Sequence, residues 1–392
     1  MGNVPNLRFP EFTGEWKKAS LQDIATVNPK SVSLQDSFVY IDLEAVEKGE
    51  LKKIQEIIRK DAPSRAQRVI YKNDILFQCV RPYQRNNYIH KIQDKSNKQW
   101  VASTGYAQIR TTETQNYIYH LLNTDGFNRK VMVRCTGSSY PAINSEDLAT
   151  IRFYLATDTS EQLKISRLFD LLDERIATQN KIIKDLKKLK SAIVEMLLCN
   201  RNSELLKLGD IGYFVRGLTY ANEDVTENKA ATAVIRANNL NYGNHVDKGE
   251  VVYVSRTPAT SQILRKGDIV ICMANGSSAL VGKNSYYPFN DGQSTVGAFC
   301  GIYRTSHPLA KWLMQSRRYK RLVYQSLQGG NGAIANLNGD DILNMSFPVM
   351  EKEKSKSIIF ILETIEKTLA VNKCLQMSCS TQKSHLLKQM FI

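Results

Sequence analysis

The 392-residue chain repeats itself once, with a period near 194 residues. Lys72 to Phe77 (KNDILF) recurs as Lys266 to Ile271 (KGDIVI), and Ile109-Arg110-Thr111 recurs as Tyr303-Arg304-Thr305. Ile143-Asn144, Asp147-Leu148 and Phe153 match Leu337-Asn338, Asp341-Ile342 and Phe347 at the same offset, and Lys190-Ser191 matches Lys383-Ser384 at 193. Near the starts, Leu21 to Ile24 resembles Leu208 to Ile211 at an offset of 187, so the second copy gains about seven residues early. Matches in this order at almost one offset define two like halves, each long enough for its own core.

Each half changes character once. Its first ~150 residues carry short apolar runs (38–43, 75–80, 251–254, 269–273) bounded by Gly, Asn, Asp and Pro, which predicts a mixed α/β globule. The remainder predicts a long helix. After a cap at Asp158 or Thr159, residues 160–198 contain no Gly and no Pro. Alternate steps of four and three through Ile165, Phe169, Leu172, Ile176, Gln179, Ile183, Leu186, Lys190, Ile193 and Leu197 trace an apolar seam. The second copy runs through Ile358, Leu362, Ile365, Leu369, Asn372, Gln376, Cys379, Lys383, Leu386 and Met390. A helix of ~35 residues, ~52 Å long, outruns a small globule. Two such helices in one chain predict an antiparallel intramolecular coiled coil, with Gln179 facing Asn372 and Lys recurring at one seam position. The expected architecture is α+β: two mixed α/β globules (1–156 and 201–350) in pseudo-two-fold arrangement, joined by two long antiparallel helices (157–200 and 351–392).

Composition narrows the partner. Fifty-three Lys and Arg against 38 Asp and Glu give +15, an excess that attracts a polyanion. The halves share it: 30 basic and 23 acidic residues in 1–196, 23 and 15 in 197–392. A basic tail would have concentrated the charge at one end; an even partition suggests two similar surfaces for one kind of partner. The apolar runs are far shorter than the ~20 residues that cross a bilayer. The start (MGNVPN) has no basic region followed by an apolar core, which predicts a cytoplasmic protein. Seven scattered cysteines with no Cys-x-x-Cys pair predict reduced thiols rather than a disulfide framework or zinc site.

No phosphate-binding glycine loop, no His-Glu-x-x-His and no methyltransferase-type Asn/Asp-Pro-Pro-aromatic stretch occurs, and the five histidines lack metal-ligand spacing. Asp210 with Glu227-Asn228-Lys229 is the nearest approach to a nuclease set, but Glu227 lies in a polar stretch ill suited to holding a metal. No catalytic or metal site is therefore expected. Loops after matched strands offer a different chemistry. Arg81, Tyr83, Gln84, Arg85, Asn86 and Asn87 follow one strand, while Asn275, Ser277 and Ser278 follow its copy. A second loop pair supplies Arg134, Ser138, Ser139 and Tyr140, against Gln328 and Asn331. Arg317, Arg318 and Arg321, with Lys320, follow Trp312 on a predicted helix as a backbone-contacting strip. Arg suits guanine edges, Asn and Gln suit adenine, and Tyr, Ser and Lys hold phosphates. Like scaffolds with unlike loops are what two reading heads for different DNA sequences require. Lys181, Lys184, Lys187 and Lys188 read as the solvated flank of the coiled coil.

The opening Leu7-Arg8-Phe9-Pro10-Glu11-Phe12-Thr13-Gly14-Glu15-Trp16 resembles the start of specificity subunits of type I restriction-modification enzymes. So do the paired Lys-Asn/Gly-Asp-Ile strands and the helix running from Leu172-Asp173-Glu174-Arg175-Ile176 to Leu197-Leu198. The second spacer departs from the pattern at Gln376, Cys379 and Ser380. The resemblance covers the whole chain and implies a non-catalytic subunit that binds a bipartite double-stranded DNA site, each globule reading one half. It implies two adenine-N6 methyltransferase subunits docked on it, bringing S-adenosylmethionine, and two translocase-nuclease subunits using ATP and Mg. A rod between two heads would fix half-site separation near one duplex turn, ~34 Å. The competing reading is a stand-alone coiled-coil nucleic-acid-binding regulator; duplication argues against it, because a dimerising protein obtains its second head from a second chain.

Overall fold

The computed structural model describes residues 3–92, 98–198, 204–327 and 335–392. It divides into two compact units, 1–180 with 373–392 (unit 1) and 181–372 (unit 2). Both boundaries fall inside long helices, α1 (Thr159–Met196) and α2 (Lys352–Met390).

Unit 1 stacks two four-stranded sheets. One runs Gln55–Ile58, Ser37–Ile41, Gln99–Ser103, Ala66–Ile70; the other runs Ala25–Val27, Tyr106–Thr111, Ile75–Gln78, Tyr88–Ile89. Strand Lys17–Ser20 pairs separately with Arg152–Leu155. Unit 2 has the same plan. Its sheets run Val225–Thr226, Val252–Val254, Thr232–Ile235, Ser294–Val296 and Tyr213–Arg216, Cys300–Arg304, Ile269–Cys272, Asn284–Tyr286, with Glu204–Lys207 against Ser346–Val349. Among the described residues each unit pairs two of these strands in parallel, Ser37–Ile41 with Gln99–Ser103 and Thr232–Ile235 with Ser294–Val296. The chain is thus an α+β protein with two mixed α/β globules and two long helices.

The matched sequence fragments are partners in space. Asp74 accepts from Arg110 Nε and Nη2 at 2.8 and 2.7 Å, and Asp268 accepts from Arg304 at the same two distances. Both carboxylates are reached from a tight turn, where Asn73 (φ 72°) and Gly267 (φ 105°) are left-handed. Thr111 Oγ1 donates to Ile24 O and Thr305 Oγ1 to Ile211 O, joining the other matched fragments. Asn144 and Asn338 cap equivalent short helices by accepting from Asp147 N and Asp341 N. The repeat seen in sequence is therefore one set of mutually bonded residues used twice.

The long helices are antiparallel within each unit. In unit 1, Ile165 and Phe169 of α1 share a core with Met390 and Phe391, while Asp173 meets Lys383. Rising numbers in one helix meet falling numbers in the other. The core is aromatic: Phe391 stands 5.3 Å from Tyr117, 5.9 Å from Phe169 and 6.2 Å from Trp16. The opening segment docks here too. Glu161, fully buried in the first turns of α1, accepts from Arg8 Nε and Nη2 (2.6 and 2.7 Å) and from Trp16 Nε1 (3.3 Å). In unit 2, Val194 and Leu197 pack with Ile359 and Leu362 around Trp312, and Lys190 bonds Glu366 at 2.7 Å.

Ile365, Leu369 and Cys379 are also buried, while Leu172, Ile176, Ile183, Leu186, Ile193 and Leu386 are half-buried. The two seam lysines tolerate their positions because each has a carboxylate, Asp173 for Lys383 and Glu366 for Lys190. Burial opposes ionisation of Glu366, but Lys190 and Lys311 outweigh it and hold the carboxyl below its ordinary range. The seam amides are used otherwise than expected. Gln179 Oε1 is buried without a hydrogen-bond partner, and Asn372 Nδ2 donates back to Thr368 O of its own helix.

Unit 1 should be acid-sensitive. His90 is buried 4.8 Å from the Trp100 ring, and burial pushes its imidazole down to about 4 against a weaker pull from Asp74. Burial likewise lowers His120, with its bond to Asp170 opposing. An unfolded imidazole titrates near ~6.5, so the unfolded chain takes up a proton that the folded His90 refuses down to about 4. Stability is then full above ~6.5 and falls with pH through that window. The melting temperature of the His90→Phe variant should depend less on pH between ~6.5 and ~4 than wild type; equal slopes would count against this assignment.

Candidate nucleic-acid interface

In unit 1 the structure joins the two loops that sequence pattern treats separately. Val80 and Thr136 each bridge to Ala142, Arg81 N donates to Pro141 O (2.8 Å), and Ile143 N donates to Cys79 O (3.0 Å). The joined platform presents Arg81, whose guanidinium lies 4.4 Å from the Tyr140 ring centre. Tyr83, Gln84, Ser138, Ser139 and Tyr140 are exposed beside it. Arg81 (φ 54°) and Arg85 (φ 53°) flank the turn Pro82–Gln84 in the left-handed region, which costs strain in a residue with a Cβ. Four bonds hold that shape: Gln84 N to Arg81 O, Arg85 N to Pro82 O, Asn86 N to Gln78 Oε1, and Gln78 Nε2 to Gln84 Oε1.

Several residues expected to touch DNA build this platform instead. Asn87 is buried; its Oδ1 accepts from Gln78 N and its Nδ2 donates to Asn123 Oδ1. A buried amide with both ends bonded presents no edge to a partner. Asn86 Oδ1 accepts from Lys48 N, Arg85 pairs with Asp125 at 2.7 Å, and Arg134 Nη1 donates to Asp147 O and Thr150 Oγ1. Hydrophobic pattern cannot reveal such bonds, since their partners arrive from other elements.

Unit 2 repeats the platform with other residues. Ala274–Asn275 pairs with Ala335–Asn336, and Leu337 N donates to Met273 O (2.7 Å). These positions match Val80, Ala142, Ile143 and Cys79 at the 194-residue offset. Asn275 Oδ1 accepts from Ser277 N, and Ser277 and Ser278 are exposed. Gln328 and Asn331 lie outside the described residues. On helix Arg317–Leu327, Arg317, Lys320 and Arg321 are exposed, whereas Arg318 Nε donates to Ser346 O (2.8 Å) and is committed to the fold. Lys181, Lys184, Lys187 and Lys188 are exposed on α1.

Beside the unit 2 platform opens a cleft absent from the sequence reading. Its larger compartment, about 630 Å³, is lined by Tyr220, Arg236, Asn238, Asn275 and Phe299, among others. A smaller one, about 300 Å³, adds Arg216. The signal available in sequence was positional: Arg236 follows strand Thr232–Ile235 where Asp42 follows Ser37–Ile41. Among the described residues, no three His, Cys, Asp or Glu converge as a metal site, and no helix is long and apolar enough to cross a membrane. Asp210 and Glu227 are both exposed.

No protein-family model matches the chain. Part of it is similar to the EcoKI type I restriction enzyme specificity subunit of Escherichia coli, 28% identical over 168 residues covering 40% of this chain and 35% of that protein. The StySPI specificity subunit of Salmonella potsdam matches with the same identity and coverage. The match thus spans about a third of the length of these curated relatives, 35% in each case. Among solved structures, the S subunit of a type I restriction-modification system from M. genitalium aligns over 99% of both chains (TM-score 0.62, 13% identity). A chain from a study of complex assembly and conformational transition in the type I R-M system aligns over 96% of both (TM-score 0.54, 20% identity). Both alignments show a shared fold over essentially the whole length.

Proposed function

We propose that this chain is the DNA-recognition subunit of a type I restriction-modification complex. The observation that carries the reading is the doubled platform: at equivalent positions of one topology, unit 1 presents Arg81 stacked on Tyr140 and unit 2 presents Asn275, Ser277 and Ser278. A shared scaffold with unlike surfaces suits two halves of a bipartite target. The partial similarity to two specificity subunits supports the same reading.

On this reading residues 1–156 and 201–350 are the recognition domains, and segments 157–200 and 351–392 are spacers that set the unread gap. The contacts offered to DNA are Arg81, Tyr83, the Nε2 of Gln84, Ser138, Ser139 and Tyr140 for one half-site, with the Nδ2 of Asn275, Ser277, Ser278, Arg317 and Arg321 for the other. The chain has no catalytic centre of its own. Two adenine-N6 methyltransferase subunits supply S-adenosylmethionine and the chemistry, and two restriction subunits add ATP, Mg and cleavage. The complex works on DNA in the cytoplasm.

Mapping methylated adenines genome-wide with and without the gene should reveal a two-part motif that depends on it. A continuous motif, or methylation indifferent to the gene, refutes the proposal. Exchanging residues 1–156 for another recognition domain should rewrite one half of the motif and leave the other half and the gap unchanged.

A further inference from the structure

The unit 2 cleft is equipped for an anionic partner. Its compartments share Ala274, Ala298, Phe299 and Cys300, and among the described residues no carboxylate lines either. Arg216 and Arg236 are exposed, and neither guanidinium has an intramolecular partner among the described residues. Other arginines of the unit are neutralised or bonded, Arg304 by Asp268, Arg256 by Asp224 and Arg318 by Ser346 O, while Arg265, Arg317 and Arg321 are exposed outside the cleft lining. Two uncompensated cations beside Phe299, itself 70% exposed, make a site that gains by meeting negative charge and a flat ring.

The duplication supplies the contrast. Strand Ser37–Ile41 is followed by Asp42, Leu43 and Glu44, whereas Thr232–Ile235 is followed by Arg236, Ala237 and Asn238. In unit 1, Leu43 lies over Gly105, whose added Cβ would come 2.9 Å from Leu43 Cδ1. The residues at those places in unit 2 are Ala237 and Phe299, and the space between them is open cleft. An acid pair over a filled site has become an arginine and an amide over an empty one.

The turn that carries the pair is held rigidly. Asn239, buried, accepts from Arg236 N (2.9 Å) and donates to Asp247 O and Glu250 O (both 3.0 Å). Asn238 beside it is exposed, and its side chain makes no hydrogen bond among the described residues. A phosphate contact needs only a surface cation. Two planar donor groups fixed on one turn over a recessed apolar floor match the edges of stacked bases.

We infer that Arg236 and Asn238 are specificity-determining residues that read base edges of the half-site bound by unit 2, Arg236 taking a guanine and Asn238 a neighbouring base. Arg216, in the smaller compartment, holds the adjacent backbone. The inference rests on the DNA-recognition reading and deepens it.

The test is selection of duplexes from a random library by the purified full chain, followed by affinity measurements on single-base variants of the selected site. Wild type should yield a two-part motif. Arg236→Ala should lose about 10- to 100-fold of its preference for guanine at one position of one part, leaving the other part unchanged. Arg216→Ala should weaken binding evenly without altering the motif. If Arg236→Ala and Asn238→Ala both select the wild-type motif, the inference is overturned and the recognition role stands. If Arg236→Ala melts normally yet binds no duplex, Arg236 is a backbone anchor and the inference is overturned. If Arg236→Ala melts early, Asn238→Ala decides: a relaxed position in the same part supports the inference and an unchanged motif overturns it. If wild type selects no two-part motif, the recognition reading falls and takes the inference with it.

Discussion

Asp268→Ala is expected to destabilise unit 2 by about 3–5 kcal/mol, the cost typical of leaving one member of a buried ion pair alone. The Arg304 side chain is 9% exposed and that of Asp268 2%. Arg304 also donates to Ser261 O (3.1 Å) and Ile263 O (2.7 Å), which fixes it in place and prevents its escape to water when the carboxylate is removed. The equivalent change in unit 1, Asp74→Ala, should cost less, about 1–2 kcal/mol, because the Arg110 side chain is 41% exposed and can rehydrate. Tryptophan separates the two in one denaturation experiment, since Trp312 reports on unit 2 and Trp16 and Trp100 on unit 1. Equal losses from the two substitutions would show that the repeated pair is energetically symmetric, against the exposure difference.

Phe169→Ala should cost unit 1 about 3–5 kcal/mol. The ring is fully buried, 5.3 Å from His120 and 5.9 Å from Phe391, so truncation leaves a cavity where α1, α2 and the globule share one core. The end of α2 should loosen first. Amide hydrogen exchange in residues 380–391 should rise before that of the strands Ile75–Gln78 and Tyr106–Thr111, whose ladder does not include the ring. Lys187→Ala, on an exposed flank, should stay within about 0.5 kcal/mol of wild type. Uniform acceleration of exchange throughout unit 1 would refute the local account.

The seam of α1 was legible from Ile165 to Leu197 because a helix writes its buried face into nearest neighbours three and four residues apart. Val194, one of its most buried residues, lies beside the predicted track, since a straight helix drifts against a strict seven-residue repeat. The Asp74 and Asp268 fragments were legible as copies, but their bonds to Arg110 and Arg304 were not, the partners lying 36 residues along the chain. Loop chemistry was the least legible: Asn87 and Arg81 look alike in a polar loop, yet one is buried among amides and the other, half-buried, stacks on the exposed Tyr140.

Duplication, element type and the paired helices follow from order along the chain, because repetition and periodicity are relations between near neighbours or identical strings. Which arginine is neutralised and which is left for a ligand depends on what distant segments bring to it. Arg304 meets a carboxylate and becomes core; Arg236, after a strand of the unit's other sheet, meets none among the described residues and faces an open cleft. Only folding assigns that difference, since the electrostatic environment of a side chain is set within a few ångströms in space and is blind to separation in sequence.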